Sequence, residues 1–323
     1  MSPQVTAVIP NWNGGPRLAR VLNDLSAQTH PLAGVIVVDN ASTDESQNQP
    51  HAQLIRLPRN TGFAHAVNTG IQASRTEFVA ILNNDVELPP TWLETLLAAL
   101  PADKWFATGK ILRASDPNIL DATFDSVARS RCPWRCGSGK PDAPQWNDPR
   151  NIYFAPLTAA LYRSELFRRT GLLDERFQSY LEDVDLGIRC ALAGYEGLYV
   201  PRAVCHHWGS ATLGMWHRET VRLQSRNQVY LAIKYPPTSW LSRSGWKVLA
   251  GQLLWGLLAA RHLRLMPWLQ GKWQGLRSRS QFDSASVRPA GLEQLFSREE
   301  RRIGELQQAD GFDLYWRLYF ALT

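Results

Sequence analysis

Between Thr220 and Phe282 the chain has no Asp or Glu, yet it carries ten bases: Arg222, Arg226, Lys234, Arg243, Lys247, Arg261, Arg264, Lys272, Arg277 and Arg279. Removing them from the net +6 leaves −4 for the rest. A mildly acidic body thus carries a strongly basic module, and such a module calls for an anionic partner. Long apolar runs are lacking too. The most apolar stretch, Val248–Ala260, is interrupted by Gln252 and is too short for the roughly 20 residues that span a bilayer. Cysteine is scarce: of Cys132, Cys136, Cys190 and Cys205 only the first two are close, with no further His or Cys beside them to complete a zinc site. A chain this long does not need a disulfide framework, so reduced thiols are expected. Met1 leads straight into a strand-like segment without a basic start and apolar core, which argues against a cleaved signal peptide and for a cytoplasmic location.

What is present suits a folded protein. The 323 residues allow one large α/β domain with a smaller appendage, and 44% hydrophobic with 20% charged residues excludes disorder as the default. The first hundred residues alternate strand and helix patterns. VTAVIP (from Val5), GVIVVD (Gly34–Asp39), Leu54–Leu57 and Phe78–Leu82 read as strands, while Leu18–Leu25, Phe63–Ala73 and Thr91–Leu100 have helical spacing. Strands separated by helices build a parallel sheet, whose ligands lie beyond the carboxyl ends of the strands. Asp121–Pro149, rich in Pro, Gly, Trp and Arg, reads as a long excursion beside the site. Leu157–Arg163 is expected as a strand, Glu165–Thr170 and Tyr180–Ala193 as helices, and Gly197–Val200 and Ala203–His206 as extended. The alternation ends at Pro236–Pro237, which sets the expected domains at 1–235 and 236–323.

Polar clusters follow the apolar runs. Asp39-Asn40 ends GVIVV, where a carboxylate can accept from a base or ribose; the plainer reading is an Asx turn. Arg59-Asn60-Thr61-Gly62, with Asn68 beyond, precedes a helix whose first amides could face a phosphate, or forms an ordinary loop-to-helix junction. Asn83-Asn84-Asp85 ends VAIL and offers oxygens to a hard cation and a ribose together, against a simple polar turn. Glu182-Asp183-Val184-Asp185 puts three carboxylates on one helix, which suits a general base or a nearby cation, though charged helix faces are common. His206-His207 closes an extended segment and offers an imidazole ligand, or merely a surface pair.

Taken in order, VIPNWNG, VVDNASTD, RNTGFAHAVNTG, LNNDVEL, LDERFQSYLEDVDLGIR and HHWGSAT, spread across residues 5 to 213, resemble the family-2 glycosyltransferases of the GT-A fold. Within them the chain is similar to the bacterial rhamnosyltransferase-type branch that builds cell-surface polysaccharides. The resemblance implies a Rossmann-like, mostly parallel sheet flanked by helices, and an inverting transfer from a dTDP- or UDP-sugar. It implies that Pro10, Asn11, Trp12 and Asp39 hold the base and ribose, that Arg59, Asn60 and Gly62 lie along the nucleotide, and that Asn68 supports that loop. Asn83-Asn84-Asp85 takes the place of the family's DXD motif. Asp85 is then the metal-binding carboxylate for Mg²⁺ or Mn²⁺, with His207, or else His206, as a further ligand. The triplet departs from DXD at Asn83, where a charge is lost, and this leaves strict metal dependence open. Asp183 is implied as the catalytic base and Glu182 as its acceptor-binding neighbour.

After Pro237 the bases interleave with Trp240, Trp246, Trp255, Trp268 and Trp273. A basic segment with Trp suits the interface of an anionic leaflet, and so an enzyme peripheral on the inner face of the plasma membrane with a polyprenyl-diphosphate-linked acceptor. The competing reading is a helical cap with Trp as core, packed on the catalytic domain or in a homo-oligomer. Ser297–Gln308 reads as a solvated helix with Ser297 as its N-cap. No nucleic-acid motif accompanies the basic residues, so a nucleic-acid partner is not expected. A catalytically degenerate nucleotide-binding scaffold is the alternative to an enzyme, with Asn83 as its support.

Overall fold

β1 (Val5–Asn11) is buried at every position, as a strand covered on both faces by helices must be. The computed structural model describes residues 2–47, 52–209, 216–285 and 290–323. After β1 come α1 (Gly15–Ser26), β2 (Gly34–Asp39), β3 (Gln53–Arg56), α2 (Phe63–Ala73), β4 (Phe78–Leu82), the short β5 (Val86–Glu87) and α3 (Trp92–Ala99). β3, β2, β1 and β4 are parallel neighbours in that order. Asn11 pairs with Asp39, so β1 and β2 end level and deliver their polar residues to one edge.

The chain continues with β6 (Phe106–Arg113), β7 (Asp116–Ala122), β8 (Asp125–Val127), β9 (Pro133–Arg135), β10 (Arg150–Ile152), β11 (Ala159–Arg163), α4 (Ser164–Thr170), α5 (Glu182–Leu192) and β12 (Gly197–His207). β11 runs antiparallel between β4 and β6, and β12 lies parallel to β6. The expected α/β architecture is therefore present. β6 escaped sequence reading because Thr108 and Lys110 interrupt its apolar pattern. Both are buried, with the Thr108 hydroxyl donating to the Ala159 carbonyl at 3.0 Å and Lys110 donating to Asp142 at 2.6 Å. The two extended pieces expected at Gly197–Val200 and Ala203–His206 form one strand, with a register shift between Val200 and Val204. Gly109 faces that irregularity: a Cβ there would lie 1.7 Å from the Ala203 carbonyl oxygen.

The chain forms two compact units, Met1–Phe124 with Gly137–Gly209, and Asp125–Cys136 with Ser210–Thr323. The division thus falls before the expected 235/236 boundary. The second unit holds α6 (Arg218–Lys234), α7 (Arg243–Arg261), α8 (Leu265–Arg277), α9 (Leu292–Asp310) and α10 (Leu314–Leu322). α6 belongs to it because Gly271 and Gly275 of α8 let the two helices nearly touch; a Cβ on Gly271 would lie 2.2 Å from the Arg222 carbonyl oxygen. Part of the expected excursion also belongs here, as the β8–β9 hairpin. Ser126 donates to Glu299 at 2.9 Å, and the backbone N–H and Nε of Arg129 donate to Glu300 at 3.1 and 3.0 Å. Ser297 is not an N-cap: it lies inside α9, which begins earlier because Leu292, Leu295 and Phe296 are already buried. Among the described residues no helix is long and apolar enough to cross a membrane.

Glu300, 3% exposed, also accepts from Lys247 at 2.7 Å and from the Tyr319 hydroxyl at 2.6 Å. Burial alone would raise its pKa, but the bonds from Lys247 and Tyr319 and the charge of Arg129 hold it below the ordinary value. In the unfolded chain the group takes up its proton near pH ~4.3. The stabilisation it contributes is therefore complete above that pH and is lost as pH falls through the lower, folded value. We expect the thermal midpoint of wild type to fall steeply between about pH 5 and pH 3. Glu300→Gln should start lower and fall less steeply; a calorimetric pH series checks this.

Candidate active site

The edge where β1, β2 and β4 end is organised by Asn11, which is 1% exposed. Its Nδ2 lies 3.1 Å from Asp39 Oδ1, 3.2 Å from Ser42 Oγ and 3.0 Å from Ser46 Oγ. Its Oδ1 accepts from Asn84 Nδ2 at 2.8 Å. Asp39 is fully buried, accepts from the Ser42 N–H at 3.2 Å, and has Arg56 Nε 3.8 Å away. A carboxylate held this way is preorganised to accept further hydrogen bonds. Pro10 is buried behind this network, while Trp12 is exposed just beyond it and offers a ring face. Asn40 closes the loop: its Oδ1 accepts from the Thr61 N–H at 2.8 Å and its Nδ2 donates to the Gly62 carbonyl at 3.1 Å.

Gly62 has φ +93°, and a Cβ there would meet the Gln178 carbonyl oxygen at 2.8 Å. Asn60 Oδ1 accepts from the Gly62 N–H at 3.0 Å, and Arg59 is exposed beside it. The first amides of α2 do not face open space. Phe63 N–H donates to Ser179 Oγ at 3.2 Å and Ala64 N–H to the Gln178 carbonyl at 2.8 Å. Asn68 supports a different segment from the one expected. It clamps Leu173, donating to its carbonyl and accepting from its N–H, both at 2.9 Å, and it donates to Glu175 at 2.9 Å.

Those contacts fix the approach to α5. Gln178, Tyr180 and Leu181 all have positive φ (62°, 72° and 68°), a conformation that non-glycine residues hold only when their surroundings impose it. α5 then opens with Glu182, Asp183 and Asp185 in its first turn. Their cluster is eased by its position, because a helix N-terminus favours negative charge. Their roles also separate. Asp185, fully buried, pairs with Arg189 Nε at 3.0 Å, and Arg189 in turn donates to the Leu172 carbonyl at 2.9 Å. Asp183 is half-buried, its Oδ1 accepting from the Val184 N–H at 2.8 Å, and Glu182 is buried.

At the end of β12, His207 Nε2 lies 3.1 Å from Asp85 Oδ1 and 3.2 Å from Asn83 Nδ2. Its Nδ1 lies 2.9 Å from Asp121 Oδ2. Burial opposes charge on this imidazole, but the hydrogen bonds to Asp121 and Asp85 outweigh it and raise the pKa to about 9. Once a cation displaces the proton from Nε2, a carboxylate, that nitrogen and a second carboxylate fixing the far ring nitrogen make a donor set suited to a divalent ion. Among the described residues no group of three or more His, Cys, Asp or Glu is arranged as a complete metal site, so a cation here would need oxygens from its ligand and water. His206, one residue earlier, points to the other face of the strand, into a cleft lined by Arg20, Asp24 and Glu87. The structure therefore brings His207, not His206, to Asp85. Of HHWGSAT, Ser210 to Thr212 lie outside the described residues. Asp121 does not stand out in the sequence, because on β7 it lies singly between Leu120 and Ala122. Ser42 and Ser46, whose hydroxyls also face Asn11, are not singled out by the sequence.

Polar strand ends around a buried carboxylate, with an Asp–His pair closing the same sheet, belong to a glycosyltransferase of the GT-A fold, and solved structures share that fold. A mannosyltransferase from Pyrobaculum calidifontis in complex with GDP-Man and Mn²⁺ matches with a TM-score of 0.51 at 18% identity, over 99% of this chain and 87% of that one. GalNAc-T7 with UDP, GalNAc and Mn²⁺ matches with a TM-score of 0.59 at 16% identity, over 89% of this chain and 58% of that one. The chain belongs to glycosyl transferase family 2, whose model matches residues 6–171. Among curated relatives, an N-acetylglucosaminyl-diphospho-decaprenol L-rhamnosyltransferase of Mycobacterium tuberculosis is 30% identical over 243 residues, 66% of this chain and 78% of the relative. A pre-mycofactocin glycosyltransferase of the same organism is 30% identical over 220 residues, covering 66% of this chain but 44% of that protein.

Asn68 gives a direct test of how the approach to α5 is held. Asn68→Ala leaves the Leu173 backbone pair and one Glu175 bond unmet, and we expect a loss of about 2–3 kcal/mol in stability. Denaturant unfolding measures the loss, and unchanged stability would show that the clamp is not needed.

Proposed function

We propose that the chain transfers a hexosyl unit, rhamnosyl first among candidates, from a dTDP- or UDP-sugar to a polyprenyl-diphosphate-linked glycan acceptor, with inversion at the anomeric carbon. The observation that carries this reading is Asp85 beside an imidazole whose other nitrogen is anchored by Asp121. The sugar and the lipid-linked acceptor are supported by the likeness to the mycobacterial N-acetylglucosaminyl-diphospho-decaprenol L-rhamnosyltransferase. An acceptor of that kind is membrane-bound, which fits peripheral work on the inner face of the plasma membrane.

Asp85 and His207 would hold Mg²⁺ or Mn²⁺; when bound, the cation neutralises charge on the departing nucleoside diphosphate. Asp39, held in place by Asn11 and the Ser42 N–H, would accept from the base or ribose, with Trp12 beside the base and Arg59 along the nucleotide. Asn83 and Asn84 would complete the ribose side. The acceptor oxygen attacks the anomeric carbon from the face opposite the leaving group. Its proton passes to the Asp183 carboxylate as the bond from sugar to diphosphate breaks. Glu182 would orient the acceptor. Asp121 would keep His207 in one tautomer and orientation, a task outer carboxylates perform for ligand imidazoles.

Two experiments test this. UDP or dTDP, with Mn²⁺, should raise the thermal midpoint of wild type, and Asp85→Ala should abolish the metal-dependent part; no shift with either nucleotide would sink the donor-site reading. Asp183→Asn should keep the nucleotide-induced shift yet lose about 10²–10⁴-fold in transfer rate. Equal turnover in that variant would remove Asp183 as the base.

A further inference from the structure

α7 is built inside out. Between Ser244 and Ala260 its exposed residues are Trp246, Leu249, Leu253 and Leu257, and each is apolar. They recur at intervals of three and four, so they form one stripe along the helix. Leu253 is 57% exposed and Leu257 66%. An ordinary surface helix presents polar residues there. The polar groups of α7 are turned inward instead: Lys247 bonds Glu300, and Gln252 Nε2 donates to the Ser130 carbonyl at 3.0 Å.

α8 continues the pattern. Leu265, Leu269, Trp273 and Leu276 are exposed along one side of it. α7 and α8 are packed together where Gly256 meets the Trp268 ring, and the turn between them exposes Leu263. On α10, Leu322 accepts from Trp246 Nε1 at 2.9 Å through its carbonyl, while its side chain is exposed.

Not all ten bases of the acid-free stretch are available to a partner. Lys247 pairs with Glu300, Arg222 with Glu219, and Arg226 is buried. Arg243, Arg261, Arg277 and Arg279 are exposed, and they stand at or just beyond the ends of α7 and α8 rather than on the apolar stripes. Arg277 lies 4.5 Å from the ring centre of Trp273. Bases at the ends of an apolar helical hairpin, with Trp on its exposed side, match an interfacial helix pair lying flat in an anionic leaflet. Pairing of two copies through the same faces would set these bases against one another, with no acid between Thr220 and Phe282 to meet them.

We propose that the α7–α8 hairpin docks on an anionic lipid surface through Trp246, Leu249, Leu253 and Leu257, with the arginines at its ends reaching the headgroups. This rests on the peripheral-membrane reading given above and names the face that performs it. The test is sedimentation of the full chain with vesicles of phosphatidylcholine, alone or mixed with phosphatidylglycerol. Wild type should bind the mixed vesicles, less so at high salt, and Leu253→Glu/Leu257→Glu should weaken binding by roughly 100-fold or more. The exposed positions leave the fold intact, and an unchanged thermal midpoint checks that. Binding that survives the double substitution overturns this face while the membrane reading stands. No binding by wild type overturns both, and a wild-type dimer that the double substitution converts to monomer overturns the lipid as occupant.

Discussion

One buried amide, that of Asn11, holds the polar edge of the sheet together. β1, β2 and β4 bring polar residues to the same end of the sheet, and without a shared partner their side chains would repel or compete for water. Asn11 resolves this by facing the Asp39 carboxylate with its nitrogen and Asn84 with its oxygen. The carboxylate of the second strand and the triplet after the fourth are thereby kept at a defined separation. A ligand that meets both finds them already ordered, so little conformational entropy is lost on binding.

The same economy recurs on the far side of the sheet. His207 is fixed by Asp121 on one nitrogen and faces Asp85 with the other, so the last strand of the sheet and the turn after β4 share one imidazole. Asn83, where a charge is missing, lies beside that imidazole rather than apart from it. The approach to α5 is held by other means. Bonds from the start of α2 reach Ser179 and Gln178, the first of three residues with positive φ, and Asn68 ties down the segment before them.

The second unit follows a different logic. On α7 the polar groups Lys247 and Gln252 are turned inward, Lys247 onto Glu300, while Leu249, Leu253 and Leu257 are exposed. Buried ion pairs rarely add much net stability, but they set which helices meet. Here they join the β8–β9 hairpin to α7, α9 and α10 and leave one side of α7 without polar cover.

The alternating strands and helices of the first hundred residues, the polar clusters after them and the family were legible in the sequence, because period-two and period-3.6 patterns and strand-end polarity are local properties. The basic stretch was legible too, as composition. Three matters needed the tertiary structure. Asp121 meets His207 only because β7 pairs with β6 and β6 with β12, a contact between residues far apart in the chain. The choice between His206 and His207 turned on which face of β12 looks toward Asp85. The unit boundary and the direction of the α7 leucines depended on which helix packs on which, since the same apolar stripe reads identically whether it faces a core or the outside.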